Sequence, residues 1–389
     1  MSAPAILAIG TAVPSFSERQ ALIGDWMADS FEGQPAVQRL IRSLYHYSGI
    51  ERRYSCTDEF QRPVSDSAYA PSRPLDQTPT TAERMQIYER EAPPVAEAAA
   101  RAAIDDYAVR SGQPPDALLA SITHLVIVSC TGFLAPGLDF VMAERLGLPS
   151  TIGRTVVGFM GCAASFNGLR TAQQIVAGQP HARVLMISTE LCSLHLQPGT
   201  RRDDLVSNSI FADGSAAVIV GQPDDQPGDY LLLDSFHTDM KPNTQDQMTW
   251  QIRDHGFVLS LSPRIPDHLA DVAPLVLRAV THEWPEFWAI HPGGRSIVDG
   301  IQEVFALSDE DVAATRAVLR DYGNMSSATI LFVLAETWRR LATAARSATG
   351  VAMAFGPGLT VEMARLSYVP SAVPRPSLNG RAATTPLHA

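Results

Sequence analysis

Short apolar runs that are rich in β-branched residues alternate with helix-spaced segments along this chain, and this alternation constrains the fold more than any other feature. Runs of this kind have the length and composition of buried strands. They are AILAIGTAVP (5–14), HLVIVSC (124–130), ARVLMISTE (182–190), GSAAVIVG (214–221), EFWAIHPGG (286–294) and GVAMAFGPGLTVEMARLSYV (350–369). The pattern predicts an α/β protein.

The same rhythm occurs in each half of the chain, which predicts two related α/β halves. We place the N-terminal half at residues 1–225 and the C-terminal half at 226–369. Segment 61–82 is rich in Pro, Ser and Thr and is expected to form a surface loop. The tail 370–389 has little apolar surface to bury, and we expect it to be disordered.

Charge and composition exclude several classes of protein. The net charge of −11 argues against broad attraction to nucleic acid. No apolar run reaches the roughly 18 to 20 residues that a membrane-spanning helix needs. The N-terminal segment lacks the basic flank and long apolar core of a signal peptide. Four cysteines are too few for a disulfide scaffold in 389 residues, so we expect a reduced, cytoplasmic protein.

Cys162 stands at the junction between an apolar run, TVVGFMG (155–161), and a helical pattern, AASFNGLRTAQQIVAGQ (163–179). The run predicts a buried strand, so the cysteine is expected near a helix N-terminus. Unpaired N–H groups and the helix dipole favour a thiolate there. Gly161 and the following alanines leave room for a substrate. The alternative is a small cysteine buried in the core.

His291 and Asn324 are the candidate partners of this thiol. An apolar strand is expected to end at His291, and Gly293 and Gly294 follow it, which lets a ligand approach the backbone. Asn324 follows Gly323 and precedes a predicted helix. Its amide can cap that helix or donate a hydrogen bond to a developing oxyanion, and the residue pattern leaves both roles open.

Two further features carry weaker signals. Phe211 precedes a turn and a strand, which is also typical of a core residue. The neighbours Arg52 and Arg53 form either a solvated surface pair or a basic patch for an anionic substrate.

Together these motifs resemble the type III polyketide synthases, the chalcone-synthase-like branch of the thiolase superfamily. The motifs are GFMGCAA, IFADGSAAVIVG, WAIHPGGRSIVDG, YGNMSSAT and FGPGLTVE, in the order of the family, and the resemblance runs from about residue 5 to about residue 368. It implies a thiolase fold with a duplicated five-layer αβαβα architecture, and a homodimer.

The resemblance also implies a chemistry. Cys162 would accept the acyl group of an acyl-CoA, while His291 and Asn324 would hold the thioester carbonyl and promote decarboxylation of malonyl-CoA. A nearby imidazolium is expected to lower the pKa of the thiol. The scheme requires no metal and no cofactor besides the CoA thioesters that are its substrates.

Further residues acquire roles by the same resemblance. Phe211 matches a gatekeeper between the CoA tunnel and the reaction cavity, and Ser326 matches a position in the cavity lining. Arg52 and Arg53 fall in the region that binds CoA phosphates in relatives, without indicating which arginine is used.

Departures from the plant enzymes concern the cavity. The second gatekeeper position aligns with Leu259, or with Phe257 if the alignment shifts by two residues. Trp250 stands where plant chalcone synthases carry a small residue on the cavity floor, and Cys130 and Cys192 replace threonines. We expect a side channel for a fatty-acyl starter, and a tri- or tetraketide that cyclises to an alkylpyrone or alkylresorcinol.

Other functions use similar residues. An initiating ketoacyl synthase of fatty-acid synthesis has the same Cys, His and Asn set, but such enzymes usually read His-Gln-Ala-Asn where this chain reads His-Pro-Gly-Gly. A synthase of the HMG-CoA type needs a glutamate base that the sequence does not reveal. A non-catalytic acyl-CoA binding protein and a Cys–His hydrolase are further alternatives.

Overall fold

The computed structural model describes residues 3–223 and 228–371. The strands are β1 (Ala5–Ala12), β2 (Phe16–Arg19), β3 (Arg52–Ser55), β4 (His124–Ser129), β5 (Gly153–Gly158), β6 (Val184–Leu191), β7 (Asp213–Gly221), β8 (Tyr230–Met240), β9 (Met248–Arg253), β10 (Gly256–Leu261), β11 (Phe287–Ile290), β12 (Ala348–Gly356) and β13 (Thr360–Val369). The helices are α1 (Gln20–Asp29), α2 (Pro35–His46), α3 (Thr81–Ser111), α4 (Pro115–Ser121), α5 (Leu138–Arg145), α6 (Ala164–Gly178), α7 (Arg202–Ile210), α8 (Ile265–Val280), α9 (Arg295–Val304), α10 (Ala313–Tyr322) and α11 (Thr329–Ala344).

Nine strands form one mixed sheet in the order β11-β12-β13-β8-β1-β7-β6-β4-β5. Five strands from the first half of the chain lie side by side at one end, and four strands from the second half lie at the other. The two groups meet where β1 pairs antiparallel with β8. The predicted α/β class is therefore confirmed.

Alternate side chains of these strands enter different apolar clusters, and this sorting creates the layers. One face of the first group packs against α3, and one face of the second group packs against α8 and α9. The remaining faces of both groups enclose α6 and α11. Each of the two strand groups therefore acts as one sheet layer, although they belong to one continuous sheet. The order of layers is helix, strands, helix, strands, helix, which is the five-layer arrangement that the resemblance implied. The central strands are buried on both faces, which explains their continuous apolar composition.

Close approach of β1 to α3 depends on Gly10. A Cβ at this position would lie 2.2 Å from the backbone nitrogen of Ala103. Only glycine allows the strand and the helix to touch at this distance.

Most predicted strands are present, but β5 differs from the expectation. It was expected to be buried, whereas it is the edge strand of the sheet and the Val156 side chain is 53% exposed. The apolar pattern of a sequence cannot distinguish a central strand from an edge strand, because an edge strand is also apolar when another surface covers it.

The predicted loop 61–82 is confirmed up to residue 80, with two short 3-10 turns, Val64–Asp66 and Leu75–Gln77, and α3 begins at Thr81. The tail predicted to be disordered lies outside the described residues from 372 onward. Among the residues that the structure describes, no helix has the length and apolar character needed to cross a membrane.

Candidate active site

Cys162 lies in a single 3-10 turn, Gly161–Ala163, between β5 and α6. Gly161 has a positive φ of 61°, and a Cβ there would lie 2.4 Å from Cδ of Pro357. The turn therefore requires glycine, and it brings the loop that follows β12 against the cysteine. The Cys162 Sγ lies 3.7 Å from the Ser326 Oγ.

Asn324 connects three parts of the site. Its backbone forms an isolated bridge with Phe211. Its side-chain Oδ1 accepts from the Ser326 N–H at 2.9 Å, and its Nδ2 donates to the Gly293 carbonyl at 3.2 Å. These bonds fix which side of the amide carries the donor. Hydrogen bonding from the Asn324 side chain lowers the pKa of Cys162, against the larger effect of burial.

His291 follows the last residue of β11, as predicted, and its N–H donates to the Met353 carbonyl at 2.8 Å. The side chain is 1% exposed, and neither ring nitrogen has a hydrogen-bond partner among the described residues. Burial lowers the pKa of this imidazole to about 3. A buried imidazole with two unused nitrogens needs an explanation, and a substrate that binds there supplies one.

The expectation that the thiol pKa is lowered is wrong for this structure. Desolvation raises the pKa of Cys162 to about 11, and the charge of Glu190 acts in the same direction. Hydrogen bonds from Ser326 and Asn324 lower it, but by less. The site therefore presents a neutral thiol and a neutral imidazole, because burial disfavours both charged forms.

A cavity of about 30 Å³ borders Cys162, with room for about two water molecules. The predicted residues that line it are Cys130, Cys162, Cys192, Phe211, Trp250, Leu259 and Ser326; Thr131, Gly161, Met248 and Pro357 complete the lining. Leu259 lines this cavity and Phe257 does not, as expected if the gatekeeper position is Leu259. Leu259 also pairs with Trp250 across the β9–β10 hairpin.

The expected side channel is not open beside these cysteines. Cys130 is 1% exposed and its thiol donates to the Gly161 carbonyl at 3.7 Å, while Cys192 is also buried. The Trp250 indole Nε1 donates to the Cys130 carbonyl at 2.8 Å, which holds the ring over the cavity. The two cysteines line the cavity, but Trp250 limits its depth.

The two arginines occupy different environments. Arg53 is 3% exposed, and it donates to the Gln20 Oε1 at 2.8 Å and to the carbonyls of Asn208 and Phe211 at 2.8 and 2.7 Å. Its Nη2 has no acceptor among the described residues. The prediction that Arg53 can contact a CoA phosphate is wrong, because its guanidinium is enclosed. Arg52 is exposed and stays a candidate.

The two glycines after His291 also differ. Gly293 contributes its carbonyl to the orientation of Asn324. Gly294 is the residue at which the chain enters α9.

Sequence reasoning missed Glu190, which lies at the end of β6 and is fully buried. Its carboxylate accepts from the Cys130 N–H at 2.9 Å, from the Thr131 hydroxyl at 2.8 Å and from the Ser327 hydroxyl. Burial raises its pKa to about 7. An acidic residue inside an apolar run was the signal, since buried carboxylates need dedicated partners.

His195 was also missed, and nothing local in the sequence distinguishes it. It lies in a 3-10 turn after β6, its Nε2 donates to the Thr131 carbonyl at 2.7 Å, and its Nδ1 accepts from the Phe257 N–H at 3.1 Å. The ring therefore bridges the loop after β4 and the β9–β10 hairpin. Burial lowers the pKa of His195 to about 3, so the ring is neutral.

Comparison with known proteins agrees with this geometry. The model of the N-terminal domain of chalcone and stilbene synthases matches residues 2–224, and that of the C-terminal domain matches residues 233–370. This chain belongs to the chalcone and stilbene synthase family. As a member of that family it is a condensing enzyme of the acyltransferase type, a type III polyketide synthase.

Individual relatives support the family assignment. "Alpha-pyrone synthesis polyketide synthase-like Pks18" of Mycobacterium tuberculosis is 32% identical over 91% of this chain and 88% of that protein. The crystal structure of PKS-I from the brown alga Ectocarpus siliculosus has a TM-score of 0.84 at 30% identity, covering 95% of this chain and 99% of that one. The C-terminal type III polyketide synthase domain of Steely1 from Dictyostelium has a TM-score of 0.84 at 26% identity, covering 96% of this chain and 100% of that one. These neighbours confirm the thiolase fold.

Proposed function

We propose that this type III polyketide synthase loads a fatty-acyl starter from acyl-CoA onto Cys162 and extends it with malonyl-CoA. The resulting tri- or tetraketide cyclises to an alkylpyrone, with an alkylresorcinol as the alternative product. The observation that carries the proposal is a chain of contacts that starts at the thiol beside the cavity. The Ser326 Oγ lies 3.7 Å from the Cys162 Sγ, and the Ser326 N–H donates to the Asn324 Oδ1. The Asn324 Nδ2 donates to the carbonyl of Gly293, two residues after His291, whose buried imidazole has no partner among the described residues.

Loading needs a base for the thiol. In this proposal the Cys162 sulfur attacks the thioester carbonyl while its proton passes to a free ring nitrogen of His291. The carbon–sulfur bond to CoA breaks, and the imidazolium returns the proton to the departing CoA thiolate. Because the resting pair is neutral, charge separation arises only as the new bond forms.

Extension needs donors for an enolate. Malonyl-CoA loses CO2, and the electrons of the broken bond form an enolate whose oxygen accepts from the Asn324 Nδ2 and from His291. The enolate carbon attacks the acyl carbonyl on Cys162, and the thiolate leaves. Each donor of this kind contributes about 10² to 10³ in rate. A substrate that fills this small cavity displaces water, which would otherwise protonate the enolate.

The starter and product rest on two supports. The printed name of the mycobacterial relative attributes α-pyrone synthesis to that protein. Apolar and sulfur-bearing side chains, including Phe211, Leu259, Cys130 and Cys192, line much of the cavity, which suits an alkyl chain. A panel of acyl-CoAs of increasing length with labelled malonyl-CoA tests this, and better use of acetyl-CoA or aromatic CoAs would contradict it.

Cys162→Ala tests the nucleophile, with Cys56→Ala as the matched control at a buried thiol outside this cavity. We expect Cys162→Ala to lose polyketide formation and to retain slow CO2 release from malonyl-CoA, because His291 and Asn324 remain. His291→Ala should damage both steps. Full product formation by Cys162→Ala, or CO2 release without any carbon–carbon bond formation by the unaltered enzyme, would contradict the proposal.

We also propose a homodimer and a contact between Arg52 and CoA. The edge strand β5 carries an exposed Val156, and Phe133, Phe140 and Met160 are 42%, 41% and 43% exposed nearby in sequence. Light scattering should give twice the chain mass, and Val156→Lys should reduce it. Arg52→Ala should raise the KM for CoA thioesters without lowering kcat, because the arginine is exposed and does not line the cavity beside Cys162.

A further inference from the structure

A small cavity lies against Arg53, and we call it the Arg53 cavity. Its volume is about 20 Å³, which gives room for about one water molecule. It shares Phe211 and three other lining residues with the cavity that borders Cys162. The described residues that line it include no aspartate or glutamate, and Arg53 is their only arginine or lysine. His195 also lines it, but burial lowers the pKa of that imidazole to about 3, so the ring is neutral. The lining therefore carries one positive charge.

The Arg53 guanidinium has hydrogen-bonding capacity that the protein does not use. Its Nε donates to the Gln20 Oε1, and its Nη1 donates to the carbonyls of Asn208 and Phe211. Nη2 carries two more N–H groups and has no acceptor among the described residues. Because Arg53 is 3% exposed, bulk water does not reach these donors. A buried donor without an acceptor is costly, so Nη2 is the group that a ligand in the cavity can bind.

The positive charge of Arg53 is not neutralised by the acceptors around it. The three oxygens that accept from the guanidinium belong to an amide side chain and to two backbone carbonyls, and all are neutral. Asp213 acts on Arg53 through its charge, but its carboxylate accepts from the N–H groups of Cys56 and Ser193 at 2.8 and 2.7 Å. The Tyr45 ring lies 5.3 Å from the guanidinium carbon, and burial raises the pKa of this phenol, which keeps it neutral. A buried cation of this kind is stabilised by an anion beside it.

Size and charge together define the class of ligand. Room for about one water molecule admits a monatomic ion and excludes phosphate, sulfate and carboxylates. Asn208 lines the same cavity, and its Nδ2 donates one bond, to the Gln197 carbonyl at 2.8 Å, which leaves a second N–H for a ligand. We infer that the Arg53 cavity is a binding site for one halide ion, such as chloride, held by the Nη2 of Arg53.

A halide at this position acts on the backbone beside the candidate active site. It fixes the guanidinium whose Nη1 donates to the Phe211 carbonyl at 2.7 Å. Phe211 forms the backbone bridge to Asn324, and the Ala212 N–H donates to the Asn324 carbonyl at 2.9 Å. The Arg53 stem also borders Gly323, where a Cβ would lie 3.0 Å from the Arg53 Cγ. The ion therefore stabilises the folded chain where Arg53 meets the segment that carries Asn324.

The principal test is the chloride dependence of the stability of the full chain. The unfolding temperature is measured in sodium chloride and in sodium gluconate at equal ionic strength, because gluconate is too large for the cavity while the screening of surface charges stays the same. A ligand that binds only the folded state stabilises it, so we expect saturating chloride to raise the unfolding temperature by about 2 °C or more. Equal unfolding temperatures in the two salts overturn the inference.

Arg53→Gln removes the charge and should abolish the difference between the two salts. Because loss of a buried arginine can prevent folding, Ser207→Leu gives a second test. Ser207 lines the Arg53 cavity, and leucine at this position fills it while Arg53 remains. Arg84→Gln is the matched control, since Arg84 is also buried with an Nη2 that has no acceptor among the described residues, but it does not line this cavity. A chloride effect that survives in Ser207→Leu, or that is lost in a folded Arg84→Gln protein, overturns the inference.

Bromide locates the ion directly. Crystals grown in sodium bromide should show an anomalous peak within hydrogen-bond distance of the Arg53 Nη2. A peak there without a chloride effect in solution means binding at crystal concentration only and overturns the inference. A chloride effect without that peak also overturns it, because the ion then binds elsewhere.

Neither measurement requires turnover, so the halide site and the proposed function fail separately. Absence of acyl-Cys162 and of CO2 release from malonyl-CoA overturns the proposed function and leaves the halide site in place. Equal stability in the two salts overturns the halide site and leaves the proposed function in place.

Discussion

Substitution of Asn324 by aspartate changes one atom of the site and removes one donor. In the structure Oδ1 accepts from the Ser326 N–H at 2.9 Å and from the Thr329 hydroxyl at 3.4 Å, while Nδ2 donates to the Gly293 carbonyl at 3.2 Å. Asn324→Asp keeps the acceptor side. It places a second acceptor oxygen against the Gly293 carbonyl, where the donor was.

The expected loss follows from that exchange. A lost oxyanion donor lowers kcat by about 10² to 10³, which corresponds to about 2.7 to 4 kcal/mol. Asn324 is 1% exposed, so water cannot replace the missing donor. Leaving the Gly293 carbonyl opposite an acceptor also lowers the free energy of unfolding by about 1 to 3 kcal/mol.

The assay is release of labelled CO2 from malonyl-CoA, followed beside alkylation of Cys162 as a reporter of the intact site. Asn243→Asp is the matched control, since Asn243 is exposed and does not line the cavity beside Cys162. We expect decarboxylation to fall by the factor given while Cys162 remains reactive and Asn243→Asp stays at the wild-type rate. Decarboxylation by Asn324→Asp within a few-fold of wild type would refute the reasoning that the oriented amide stabilises the enolate.

Two further predictions concern protons. Burial raises the pKa of Cys162 to about 11, and the thiolate is the reactive form. The rate of Cys162 alkylation by iodoacetamide should therefore keep rising as the pH increases above neutrality. A rate that is already constant near neutral pH would show that an ion pair lowers the thiol pKa instead. Burial raises the pKa of Glu190 from 4.5 to about 7 in the folded state, so the folded protein favours the protonated carboxyl. This stabilisation is fully present below the unfolded pKa of 4.5 and is lost as the pH rises through the folded pKa. The free energy of unfolding falls by about 3 kcal/mol over this interval. Calorimetry should show that Glu190→Gln flattens the fall in stability over this interval, and an unchanged slope would contradict the assignment.

Some features were determined by the sequence alone, because they depend on neighbours along the chain. Most continuous apolar runs form strands, although β5 is an exposed edge strand, so the α/β class and most strand positions could be predicted. Cys162, His291 and Asn324 could be identified because each stands in a motif at a junction between elements. The family was therefore predictable from these motifs, while the roles of the three residues stay a prediction.

Other features depended on residues far apart in the chain. Arg52 and Arg53 are adjacent, yet one is exposed and the other is enclosed by Gln20, Asn208 and Phe211. Alternation along β3 sends neighbouring side chains to opposite faces. The packing of α1, α2 and α7 around Arg53 decides which face is buried. The same holds for Leu259, which lines the cavity beside Cys162, while Phe257, two residues earlier, does not line it.

Protonation and cavity shape were decided by tertiary structure in the same way. A cysteine at the start of a helix suggested a lowered pKa, but desolvation by the surrounding side chains raises it. Desolvation depends on everything that covers a group, and the covering residues come from β4, β6, the β9–β10 hairpin and the loop after β12. The composition of a motif determines which reaction a chain can attempt. The enclosure of that motif determines the charge states of its thiol and imidazole, because burial removes the water that would stabilise a charge. Enclosure also determines the size of the substrate, because it fixes the volume of the cavity.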